Sequence, residues 1–65
     1  MRRPERPGGA THWDTEAGYY SKAEGRKVHW WVNNPQTHKR EWKATSTPAE
    51  HLEWDLRYEE LPARS

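Results

Sequence analysis

The chain has 65 residues, 32% of them charged, with a net charge of +1 and no cysteine. A chain this short buries only about 60% of the surface it exposes when unfolded, which allows one small domain with a thin core. The absence of cysteine excludes a disulfide staple and a thiolate zinc site, and no apolar run approaches the ~20 residues of a membrane-spanning helix.

Aliphatic side chains are few: Val28, Val32, Leu52, Leu56 and Leu61. Five tryptophans and three tyrosines must therefore supply much of the core, each able to bury roughly 150–250 Å². The basic N-terminus lacks a following apolar stretch and is no secretory signal. A cysteine-free chain fits a cytoplasmic location.

Residues 1–11 carry Pro4, Pro7, Gly8 and Gly9 among three arginines and read as a flexible basic tail. Such a tail either lies along phosphates as a basic arm or is simply a disordered end. A single small domain is expected over 12–61, with 62–65 as a C-terminal tail. Trp13 stands among polar neighbours and is expected to fold back over a core edge.

From residue 18 the alternation of side chains predicts strands. Gly18–Ala23 is the first, Glu24-Gly25-Arg26 a turn with glycine at positive φ, and Lys27–Asn33 the second. Its alternation sets Val28, Trp30 and Val32 against Lys27, His29, Trp31 and Asn33. After a turn at Asn34-Pro35, His38–Thr45 forms the third strand. Trp42 and Ala44 are expected to join the apolar face, and Lys39, Glu41, Lys43 and Thr45 the opposite one. Thr47-Pro48-Ala49-Glu50 has the pattern of a helix start: a Thr N-cap, Pro at the first position and Glu completing a capping box. That helix is expected to reach about Glu60 and stop before Pro62. Ala49, Leu52 and Leu56 form one stripe on it; Trp54, Tyr58 and Leu61 form a second, nearly opposite. One stripe packs on the sheet, and the other is covered by Trp13 or the tail, or contacts a partner. The expected fold class is α+β: a three-stranded antiparallel β-meander packed against one C-terminal α-helix.

Charge divides along the chain. Residues 22–43 hold six basic and two acidic side chains, whereas residues 48–60 hold five acidic and one basic. In the expected fold these form a basic side suited to a polyanion and an acidic side turned away from it, or two solvated surfaces that merely attract each other. The four histidines, His12, His29, His38 and His51, have no metal-ligand spacing. No nucleophile, base and orienter occur together, so no enzyme is expected and no cofactor. The polar sheet face supplies candidate nucleic-acid contacts: Lys22, Arg26, Lys27, His29, Trp31, Asn33, Lys39, Arg40 and Lys43. Lys and Arg neutralise phosphates, Asn and Arg bind base edges, and a narrow sheet enters the major groove.

The run Gly18-Tyr19-Tyr20, Gly25-Arg26, His29-Trp30-Trp31-Val32, Pro35 to Arg40, Thr47 to Glu50 and Trp54 resembles the N-terminal arm-type DNA-binding domain of phage and mobile-element tyrosine recombinases. Its layout is also that of plant ethylene-response-factor DNA-binding domains. The resemblance covers about residues 18–58 and implies binding of duplex DNA by the sheet. Trp13-Asp14, Gly25-Arg26, Trp30 to Asn34, Thr37 and Trp42 are similar to a WW domain, whereas Pro48, where that family has a late proline closing the sheet, is expected to open a helix. That similarity implies an aromatic grip on a proline-rich peptide. The expected function is thus a small non-enzymatic DNA-binding domain. The alternative is a protein-interaction module, either WW-like or using the Trp54, Tyr58 and Leu61 stripe.

Overall fold

A computed structural model describes residues 3–63; Met1, Arg2, Arg64 and Ser65, the outer ends of the two expected tails, lie outside the described residues. The central strands fall close to where side-chain alternation places them. Tyr19–Glu24 (β2), Lys27–Asn34 (β3) and Lys39–Pro48 (β4) form an antiparallel meander. Gly25 turns β2 into β3 with φ 64° while Arg26 stays at negative φ, the pattern of a type II′ hairpin, which favours glycine at its first central position. Asn34 shapes the next turn: its Oδ1 accepts from the Gln36 N–H at 2.9 Å and its carbonyl from the His38 N–H at 2.8 Å. His38 closes that turn at φ 58°.

The rest of the expected fold class is corrected. His12–Asp14 (β1) and Tyr58–Glu60 (β5) extend the sheet to five strands in the order β4-β3-β2-β1-β5. The architecture is mostly β. The helix expected from Pro48 to about Glu60 shrinks to the single turn His51–Trp54 (α1). Thr47 does not cap it; β4 runs on to Pro48, which pairs with Lys27. The capping signal loses because Thr45, two residues earlier, spends its hydroxyl on the Val28 carbonyl at 2.8 Å and holds the segment in the sheet. The turn ends at Asp55, extended at ψ 118°, whose Oδ1 accepts from the Arg57 N–H at 3.1 Å.

Two opposed apolar stripes could not both be buried by one helix on one sheet face. The chain resolves this by breaking. Leu52 and Tyr58 now reach the same core, where they pack with Val28 and half-buried Trp30. Leu56 is left 96% exposed and Trp54 61% exposed.

Asp14, fully buried at the β1–β5 seam, is the polar centre of this arrangement. Its Oδ1 accepts from the Glu16 and Ala17 N–H groups, both at 2.9 Å, and from Arg57 Nε at 3.1 Å. Arg57 Nη2 lies 3.0 Å from Oδ2. The ion pair offsets the charge of a carboxylate that would be costly to bury alone, while Oδ2 itself accepts no hydrogen bond among the described residues. The hydrogen bond to Asp14 holds the Arg57 guanidinium above its ordinary pKa. Burial, reinforced by the Asp14 charge, pushes the neighbouring Tyr58 phenol up.

Candidate binding face of the sheet

Side chains of directly paired residues lie on one face of an antiparallel sheet. The pairs Trp31–Trp42, Asn33–Arg40, His29–Ala44 and Lys22–His29 therefore define one face, together with Trp13–Tyr20 from β1 and β2. The pairs Trp30–Lys43, Val32–Glu41 and Asn34–Lys39 define the other, which carries Val28 and receives α1.

This register corrects the expected polar face. Trp42 sits beside Trp31, not beneath Trp30. Lys39 and Lys43 point to the α1 side, opposite Lys22, His29, Trp31, Asn33 and Arg40. Lys27 pairs with Glu24 at the far end of the α1-free face, and Arg26 lies in the hairpin turn. The nine candidate nucleic-acid residues are thus divided between two faces and a turn. The physical reason is parity: across a four-residue loop antiparallel pairing sets the odd positions of β3 opposite the even positions of β4, so Arg40 and Trp42, rather than Lys39 and Lys43, share a face with Asn33 and Trp31. The Asn34–Lys39 pair closes a loop of residues 35–38, and that length sets the parity of all of β4.

The expected partner-binding stripe is also dissolved. Tyr58 is buried in the core, Leu61 is half-buried with its N–H donated to the Thr11 carbonyl at 2.9 Å, and Trp54 rests against the His51 ring.

The α1-free face carries an aromatic row. Trp13 meets Tyr20 edge-on at 4.8 Å, and Trp31 meets Trp42 at 5.2 Å with the rings inclined by 57°. The Lys22 ammonium stands over the Trp42 ring at 4.6 Å and 3.4 Å from the Glu24 carboxylate, which also lies 3.9 Å from His29 Nε2. The N-terminal segment crosses one half of the row. The Tyr20 hydroxyl donates to the Pro4 carbonyl at 2.6 Å. Arg3 stacks its guanidinium 5.2 Å over Trp13 and pairs with the Glu59 carboxylate. Arg6 donates to the Pro62 carbonyl at 2.7 Å and to the Ala10 carbonyl at 2.9 Å. Beside Pro4 an open cleft of about 160 Å³ continues between Tyr20, Trp31, Asn33 and Arg40. Arg40 is exposed and makes no ion pair among the described residues.

Sequence reasoning missed Tyr20 as a hydroxyl donor, Trp42 as a face partner of Trp31, and Pro4 as a docked residue. The signal for the last is the Arg-Pro-Glu-Arg-Pro run of residues 3–7. Among the described residues no group of three or more His, Asp or Glu side chains is placed to hold a metal ion, and no helix is long and apolar enough to cross a membrane. Comparison with protein-family models, with curated proteins and with solved structures gave no match.

Proposed function

We propose that the chain is a non-enzymatic binding module that takes an extended, proline-bearing peptide across the aromatic row of its sheet. The observation that carries this reading is the Tyr20 hydroxyl donating to the Pro4 carbonyl at the mouth of a cleft walled by Trp31. An extended proline segment has no internal hydrogen bonds, so its carbonyls are free acceptors and its rings flat apolar partners for tryptophan. A row of rings with a phenol donor matches both needs. Half of that row already holds such a segment, and in the other half Trp31 lines an open cleft. A cytoplasmic setting suits a cysteine-free chain that relies on no disulfide.

The test is a tryptophan-fluorescence titration of the full chain with a panel of proline-rich peptides, repeated with Trp31→Ala. Saturable quenching or a spectral shift that is lost in Trp31→Ala is expected. No response to the panel removes the reading.

A second reading, binding of duplex DNA, is favoured by the Asn33–Arg40 pair, which sets a donor–acceptor amide beside a guanidinium on the open half of the face. Its footprint is smaller than the sequence implied, because Lys39 and Lys43 face away. Glu24 and Glu59 also lie on the binding side. DNA binding through this face requires affinity that falls steeply between low and moderate salt and that weakens in Arg40→Ala but not in Lys43→Ala. Equal loss in the two variants, or none, excludes it.

A further inference from the structure

We propose that the aromatic face reads an arginine-proline dipeptide, and that Arg3–Pro7 is its resident, displaceable occupant. The inference rests on the peptide-binding reading above and adds the ligand's chemistry and its competitor. Two subsites are already filled. One takes arginine: the Trp13 ring offers a flat π surface and Glu59 a carboxylate, the two kinds of partner a guanidinium binds best. The other takes the following proline: the Tyr20 hydroxyl donates to its carbonyl. A lysine would keep the charge of the first subsite but lose the planar stacking and the forked donors.

The segment repeats this unit. Arg3-Pro4 and Arg6-Pro7 are three residues apart, the period of a polyproline helix, which returns every third side chain to one side. Both arginines do reach the β1–β5 edge of the sheet, Arg3 at Glu59 and Arg6 at the Pro62 carbonyl. The unit then joins the sheet through Gly8 and Gly9, with Gly9 at φ 91°, a conformation that costs glycine little. A short tether of this kind gives the resident segment an effective concentration on the order of millimolar. A free peptide of modest affinity must compete with it.

The probe is a synthetic peptide, Arg-Pro-Glu-Arg-Pro, titrated into the full chain and into the full-length double variant Arg3→Ala/Pro4→Gly, with the indole and tyrosine ring signals followed by NMR. The double variant is expected to bind at least tenfold more tightly than the unaltered chain, with shifts at Trp13 and Tyr20. A Lys-Pro-Glu-Lys-Pro peptide is expected to bind at least tenfold more weakly to it. Equal affinity of the two chains, or of the two peptides, overturns the proposal. If proline-rich peptides bind through Trp31 while the arginine peptide does not, this inference fails and the broader reading stands. If no proline peptide binds either chain, both fail. Should the double variant not fold, Glu59→Gln in the full chain serves instead. It is expected to weaken the arginine peptide severalfold and leave an arginine-free proline peptide unchanged; an equal effect on both overturns the assignment.

Discussion

The two faces of the sheet are closed by different means. On the α1 side Val28, Leu52, Tyr58 and Trp30 exclude water from a packed core, and Asp14 and Arg57 neutralise each other at its edge. On the other side four aromatic rings lie in a row, and only half of the row is covered, by a proline segment held through one tyrosine hydrogen bond and two arginines. The first arrangement is built from parts that separate only when the sheet itself opens. The second is built from individually weak contacts that can be exchanged for equivalent contacts from another peptide. Four of the five tryptophans thus divide their labour: Trp30 serves the core, while Trp13, Trp31 and Trp42 serve the opposite face.

The sharpest break in this contrast is Arg57→Ala. It leaves the Asp14 carboxylate buried without its counter-ion, and is expected to cost about 3 kcal/mol or more. A 65-residue domain has a total stability of only roughly 3–10 kcal/mol, so a urea melt should show a chain unfolded or nearly so. Val28→Ala, at a position with no exposed surface, is expected to follow at about 2 kcal/mol. On the other face Tyr20→Phe removes one hydrogen bond and keeps the ring. About 1 kcal/mol or less of stability should go, and the Pro4 contact should loosen in NMR spectra while the core signals stay fixed. If Tyr20→Phe destabilised as much as Val28→Ala, the contrast between the faces would be false.

Smaller effects sharpen it further. Burial lowers the pKa of His12 below its ordinary 6.5, an effect partly offset by Glu60. The folded chain therefore takes up the proton less readily than the unfolded chain. The contribution of His12 is complete above pH 6.5 and declines as pH falls from there towards the lowered folded value. Melts at pH 7.5 and 5.5 should differ by less in His12→Gln than in the unaltered chain. His38→Gly relieves a left-handed backbone, worth about 1–2 kcal/mol, at an entropic cost of about 0.5–1 kcal/mol. A net gain of about 0.5 kcal/mol is expected, with no change on either face.

How much of this was legible follows from the range of each signal. The central strands and the Gly25 turn are local, and alternation with a glycine suffices to read them. The parity of β4 depends on the length of the loop at 35–38, which Pro35 marks without measuring, so Trp42, Lys39 and Lys43 were read onto the wrong faces. The helix start at Thr47 is a sound local pattern overridden by a distant acceptor, the Val28 carbonyl. The pairing of β1 with β5, and of Asp14 with Arg57, joins residues from opposite ends of the chain, and no local pattern announces it. The doubled stripe on residues 49–61 was the one visible warning, since a helix with apolar side chains all round needs more cover than a chain this small can give.

The seam between β1 and β5 gives the molecule a weak hinge of its own. Its pairs, from His12 with Glu60 to Asp14 with Tyr58, close the longest stretch of chain in the sheet with only three residues on each side, so it should breathe before the hairpins do. Because β5 carries Tyr58 into the core and offers Glu59 to Arg3, one opening event would loosen both sides of the slab at once. Amide exchange should therefore be faster along β1 and β5 than along β3, and the release of residues 3–7 should keep pace with it.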